Sequence, residues 1–74
     1  MVYEREKAML GKIFKVKREW KIGKCKMKIG DVLEVVDYGS GLVSNYVVFK
    51  NKRFKNYQFH TATWLFIRNT KPLK

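Results

Sequence analysis

The chain has 74 residues, with 17 lysines and arginines against six acids, a formal net charge of +11. That length allows one domain, residues 1–74, with a modest core. One cysteine and one histidine are too few for an intramolecular disulfide or a zinc site within one chain. A hydrophobic share of 46% argues against disorder, no apolar run approaches the roughly 18 residues of a membrane span, and no signal-peptide core is evident. The expectation is a cytoplasmic protein with no cofactor, no metal and no membrane partner.

Residues 2–10 hold helix formers and no breakers, with Glu4 and Glu6 ahead of Arg5 and Lys7, which predicts a short helix ending near Gly11. An extended arm over residues 1–11 is the alternative. Residues 12–20 read as the first strand, with Phe14, Val16 and Trp20 on one parity and Lys15, Lys17 and Glu19 on the other. A turn over residues 21–23 leads to residues 24–29. There Lys24, Lys26 and Lys28 alternate with Cys25, Met27 and Ile29, giving a strand with a charged face and an apolar face. Cys25 is expected as a small buried apolar group.

Gly30 and Asp31 break this pattern, and Asp31 is expected to order the turn through backbone amides. Residues 32–36 resume as a β-branched strand in which Glu34 offsets a lysine across the sheet. Residues 38–41 read as a turn with two glycines, and residues 45–50 as the next strand. Asn51 and Lys52 read as a tight hairpin connection to a partner strand over residues 53–60. A one-turn corner at 61–63, an apolar strand at 64–68 and a frayed tail at 70–74 complete the prediction. Trp20, Phe59 and Trp64 are expected in the core.

Short strands with little helix predict an all-β fold, and closure would hide both the edges and the apolar face of so small a sheet. The order of long loop, strand, glycine turn, strand, hairpin, strand, one-turn corner and final strand resembles the Src-homology-3-like small β-barrel. Residues 28–36, with Gly30-Asp31 ahead of the strand, look like the segment that leaves the first long loop of that fold. Residues 63–67 sit where such barrels carry a one-turn helix before the last strand. The resemblance implies a barrel of about five strands over residues 12–69. No acidic loop cluster or paired aromatics accompany it, which argues against proline-rich ligands.

Enzyme signatures are missing: no glycine-rich phosphate loop is present, and His60 has no nucleophile or acid partner in local sequence. His60 reads as a strand-end residue bonded to backbone. The protein is therefore expected not to be an enzyme, and its basic residues direct attention to polyanions. They fall in three groups: Lys12, Lys15, Lys17 and Arg18; Lys21, Lys24, Lys26 and Lys28; and Lys50, Lys52, Arg53 and Lys55. The second and third groups, brought together, would form a positive strip. Lysine outnumbers arginine, which favours phosphate contacts over planar reading of bases.

Aromatics interleave with the third group. Phe54 and Tyr57 lie among Lys52, Arg53, Lys55, Asn56 and Gln58, and Tyr46 precedes them. Phe54 and Tyr46 are the expected exposed rings, while parity puts Tyr57 beside core Phe59. Rings among lysines suit base stacking with the backbone tracked by charge, and Asn56 and Gln58 can bond base edges. The expected function is a basic module for RNA or single-stranded nucleic acid; no basic helix is long enough to read a duplex groove. The Lys-, Asn-, Tyr- and Phe-rich composition also resembles the small early proteins of T-even-type bacteriophages, many of which disable host factors. That resemblance implies an alternative: an inhibitor of an acidic or RNA-bound host protein, such as a toxin endoribonuclease. An exposed edge strand would also suit a homodimer.

Overall fold

The computed structural model describes residues 3–73. In chain order the elements are α1 (Glu4–Met9), β1 (Ile13–Val16), β2 (Trp20–Ile22), β3 (Cys25–Met27), β4 (Val32–Ser40), β5 (Asn45–Asn51), β6 (Phe59–Ala62), α2 (Thr63–Asn69) and β7 (Thr70–Pro72). Five strands form an antiparallel sheet in the order β6-β5-β4-β1-β7, and β2 and β3 form a separate hairpin. The chain is mostly β, as expected. The expected closure is not made by hydrogen bonds: β6 and β7 are the two edges, and no ladder joins them among the described residues.

Alternation explains the sheet's two faces. Phe14, Val16, Leu33, Val35, Val47, Phe49 and Phe59 are buried on the inner face. Met27 of β3, Phe66 of α2 and Met9 of α1 cap them, with Trp20, Ile22, Cys25, Tyr38 and Phe54 packed around. Phe66 is the hub, with ring centroids 5.1 Å from Phe14, 5.0 Å from Phe49 and 6.5 Å from Trp20. A register shift between Val35 and Asp37 lets Val36 bulge, which turns Tyr38 inward opposite Val47.

Two turns depend on glycine. Ile22 pairs with Cys25, leaving Gly23 and Lys24 as a two-residue hairpin turn; Gly23 has φ 61° at its first central position, as a II′ turn requires. Gly30 has φ 95° at the third position of the turn Lys28–Asp31, closed by the Asp31 amide donating to the Lys28 carbonyl at 2.9 Å.

Several expected boundaries move. The predicted first strand breaks after Val16, and Trp20 starts β2. Ile29, expected on the apolar side, is 66% exposed because β3 ends at Met27 and Ile29 sits in the turn. β4 runs on through Tyr38, Gly39 and Ser40, so the glycine turn lies after it, not at 38–41. Only Phe59 and His60 of the predicted 53–60 partner strand are extended, and β6 runs on through Thr61 and Ala62 of the predicted 61–63 corner; residues 52–58 form a loop, and the tight connection at Asn51-Lys52 is not formed. The predicted strand at 64–68 is helix α2, which buries Thr63, Phe66 and Asn69 at a three-residue spacing and leaves Trp64 53% exposed. The predicted tail instead supplies β7, paired with β1, with Pro72 tolerated on an edge. Val2 of the predicted helix and Lys74 of the predicted tail lie outside the described residues.

Candidate nucleic-acid interface

Asp31 is the point where the β2–β3 hairpin meets the loop after β5. Arg53 Nε donates to Asp31 Oδ1 and Arg53 Nη2 to Asp31 Oδ2, both at 2.9 Å. The same Nη2 reaches the Lys26 carbonyl at 2.7 Å. Asn51, wholly buried at the end of β5, donates to Asp31 Oδ2 at 3.0 Å and accepts the Arg53 amide at 2.9 Å. The Lys28 amide also donates to Asp31 Oδ2 at 2.9 Å. Burial raises the Asp31 pKa, but hydrogen bonds from Arg53, Asn51 and the Lys28 amide outweigh it and hold the carboxyl below its ordinary value. Asp31 in turn pushes the Arg53 guanidinium up. Asp31 therefore orders its turn as expected, and Arg53, a candidate ligand-binding residue, commits its Nε and Nη2 donors to the protein's own groups at the surface.

This fastening sets two lysine groups side by side. Lys21 and Lys26 face each other across β2 and β3, a like-charge pair that costs stability. Their strands turn Trp20, Ile22, Cys25 and Met27 toward the core. Lys24 occupies the hairpin turn and Lys28 the Asp31 turn, while Lys50, Lys52 and Lys55 belong to the end of β5 and its loop. Among these seven, only Lys26 has an ion pair within the described residues, to Glu19 at 3.7 Å with both partners half-exposed.

The sheet's register adds lysines that the sequence grouping left apart. Lys15 of β1 pairs with Lys71 of β7 on one side and Val32 of β4 on the other, and the Lys52 amide reaches the Val32 carbonyl at 3.4 Å. At a strand spacing of about 4.8 Å this row spans roughly 14 Å on the outer face. Ile13, Glu34 and Lys50 form the next row. Between the two rows lies a hollow of about 350 Å³, floored by Ile13 and Val32 and rimmed by Glu34, Lys50, Lys52 and Lys55. Lys71 was hidden in the predicted tail; Lys15 was visible by parity, but its neighbours were not.

The aromatic candidates sort differently from expectation. Phe54 is half-buried, edge-on to Phe59 at 5.5 Å and covered by the Arg53 guanidinium at 4.7 Å. Tyr46 is half-buried, laid across Gly39 where any side chain would collide with its ring, and it neighbours His60 at 6.0 Å. Tyr57 is 63% exposed, because it precedes β6 and escapes the parity that buries Phe59. Tyr57 is thus the open ring among the three, adjacent in the loop to Lys55.

Two other features bear on function. A groove of about 480 Å³ runs between α1, β1, α2 and β7, lined by Met9, Phe14, Ile67 and Leu73, with Arg5 and Lys12 at its rim. Glu6 is buried at the base of α1, accepting from Asn45 Nδ2 at 3.3 Å and pairing with Arg5 at 3.4 Å. Burial raises its pKa, yet the Thr63 hydroxyl, its own amide, Asn45 and Arg5 together hold it below the usual value. The Thr63 hydroxyl is buried without a well-formed hydrogen bond, so its effect on Glu6 is through proximity. Among the described residues no three His, Cys, Asp or Glu side chains gather as a metal site, and no helix is long and apolar enough to cross a membrane.

Compared with protein-family models, curated proteins and solved structures, the chain matches none.

Proposed function

We propose that the protein is a non-catalytic binding module for RNA or another single-stranded nucleic acid, carried on a Src-homology-3-like frame. The observation that carries this reading is two outward-facing sets of lysines, one on the β2–β3 hairpin and one on the sheet face built by β1, β5 and β7, with a single ion pair among those of the hairpin and the β5 end within the described residues. Like charges held on a rigid sheet gain nothing for folding, and a polyanion relieves their repulsion. The exposed Tyr57 ring supplies a stacking surface beside them. The frame is supported by element order: a hairpin within the long loop, Gly30-Asp31 ahead of β4, and a helical turn before the final strand.

The purified protein is expected to carry nucleic acid, seen as a raised 260/280 nm absorbance ratio that falls on nuclease and high-salt washing. Lys24, Lys26 and Lys28 changed together to Gln, and separately Lys50, Lys52 and Lys55, should each weaken RNA binding. A protein that binds no RNA at low salt contradicts the reading.

A second reading, an inhibitor of an acidic protein partner, is favoured by the apolar groove with Arg5 and Lys12 at its rim. A partner retained in a bacterial pull-down after nuclease treatment, and lost on Ile67→Glu, would support it over the first.

A further inference from the structure

The hollow on the outer sheet face combines three things a nucleotide site needs, and Glu34 is the member that charge alone does not account for. The chain has six acids. Glu6 is bonded to Asn45 and Arg5, Asp31 to Arg53, Glu19 to Lys26, and Asp37 accepts the Tyr38 amide at 2.8 Å. Glu4 lies in the first turn of α1, where an acid suits the helix end. Glu34 alone of the strand acids makes no ion pair or hydrogen bond with another described residue, although Lys50 stands directly across from it. It sits at the rim of the hollow whose floor is Ile13 and Val32.

We propose that this hollow is a base-selective subsite for single-stranded RNA, taking guanine in preference to the other bases. The inference rests on the nucleic-acid reading and deepens it. Ile13 and Val32 stand on adjacent strands and offer a flat apolar patch to the face of a base. Lys50, Lys52 and Lys55 are placed for the flanking phosphates. An ionised carboxylate only accepts hydrogen bonds, so the base must donate. The Watson–Crick edge of guanine presents two adjacent donors, its ring N1–H and its amino group, matching the two carboxylate oxygens. Uracil presents one N–H between two carbonyls, and adenine and cytosine present an amino group beside a ring acceptor. That edge is free only in an unpaired strand, which agrees with a sheet surface too shallow to enter a duplex groove.

The competing account is that Glu34 merely tempers Lys50. The two accounts make opposite predictions for Glu34→Gln. Fluorescence anisotropy would compare a short labelled oligouridine RNA with the same RNA carrying one central guanine, at low salt, for the natural protein and the variant. Glu34 is exposed, so the variant should fold, and a thermal melt checks it. The subsite predicts that the guanine-bearing RNA binds about tenfold tighter to the natural protein, as one good bidentate pair gives, and that Glu34→Gln erases the difference. Equal affinities for both RNAs, or a preference that survives in the variant, overturn the subsite while leaving the nucleic-acid reading standing. No binding of either RNA overturns both.

Discussion

Arg53 and Lys26 touch each other's segments yet do opposite things with their charge. Arg53 commits its guanidinium to Asp31 and the Lys26 carbonyl at the surface, while the Lys26 ammonium makes only a long pair with Glu19. Removing the carboxylate with Asp31→Ala strands the buried Asn51 amide, which costs about 1–3 kcal/mol, while the exposed Lys28 N–H turns to water. For a domain this small each kilocalorie lowers the melting temperature by roughly 4–8 °C. Both Asp31 and Glu6 have pKa values held below normal in the folded state. Their stabilisation is therefore complete above the unfolded carboxylate pKa of about 4 and is lost as pH falls through the lower folded values. Thermal melts should be level from neutral pH to about pH 5 and fall below about pH 4. A Glu6→Gln/Asp31→Asn variant should start lower and lose less on acidification; an equally steep acid limb would refute this assignment. The importance of Asp31 to its turn was readable from Gly30-Asp31, but its partner Arg53 lies 22 positions away, beyond any local pattern.

Helix α2 shows where local pattern gave out. Trp64, Leu65, Phe66 and Ile67 are apolar without interruption, so periodicity could not separate a buried strand from a helix. The helix reveals its phase only through Thr63, Phe66 and Asn69, two of them polar. Phe66, at 0% exposure among Phe14, Phe49 and Trp20, is the anchor. Phe66→Ala is expected to cost about 3–5 kcal/mol, a large share of a total stability of the order of 5–15 kcal/mol. Trp64→Ala should cost about 1 kcal/mol or less. Equal losses in a denaturant titration would mean that Trp64 is the buried face. The strands were more legible. Alternation in residues 32–36 and 45–50 located the first half of β4 and nearly all of β5, because each has one wet and one dry face. Residues 53–58 also looked strand-like, but Arg53 is held by Asp31 and the chain turns there instead. Gly39 reads as a turn residue in sequence, and only its pairing with Tyr46 explains its place inside a strand.

For the whole molecule, a net charge of +11 spread over a small sheet domain is a strong field, and its arrangement matters more than its sum. The sequence announced the charge and three of its clusters. It could not announce that Lys15, Lys52 and Lys71 form one row, because the row is made by pairings between β1, β4 and β7. Neutralising phosphates releases condensed cations, and for single strands each contact contributes about −0.7 to the slope of log affinity against log salt. Five such contacts would lower affinity about a hundredfold between roughly 50 and 200 mM salt. The most direct measurement is that slope, taken by anisotropy on a short single-stranded RNA for the natural protein and for Lys15→Gln/Lys52→Gln/Lys71→Gln. The row predicts that the variant binds more weakly and that its slope is shallower by about two units. A variant with unchanged affinity and an unchanged slope would contradict it.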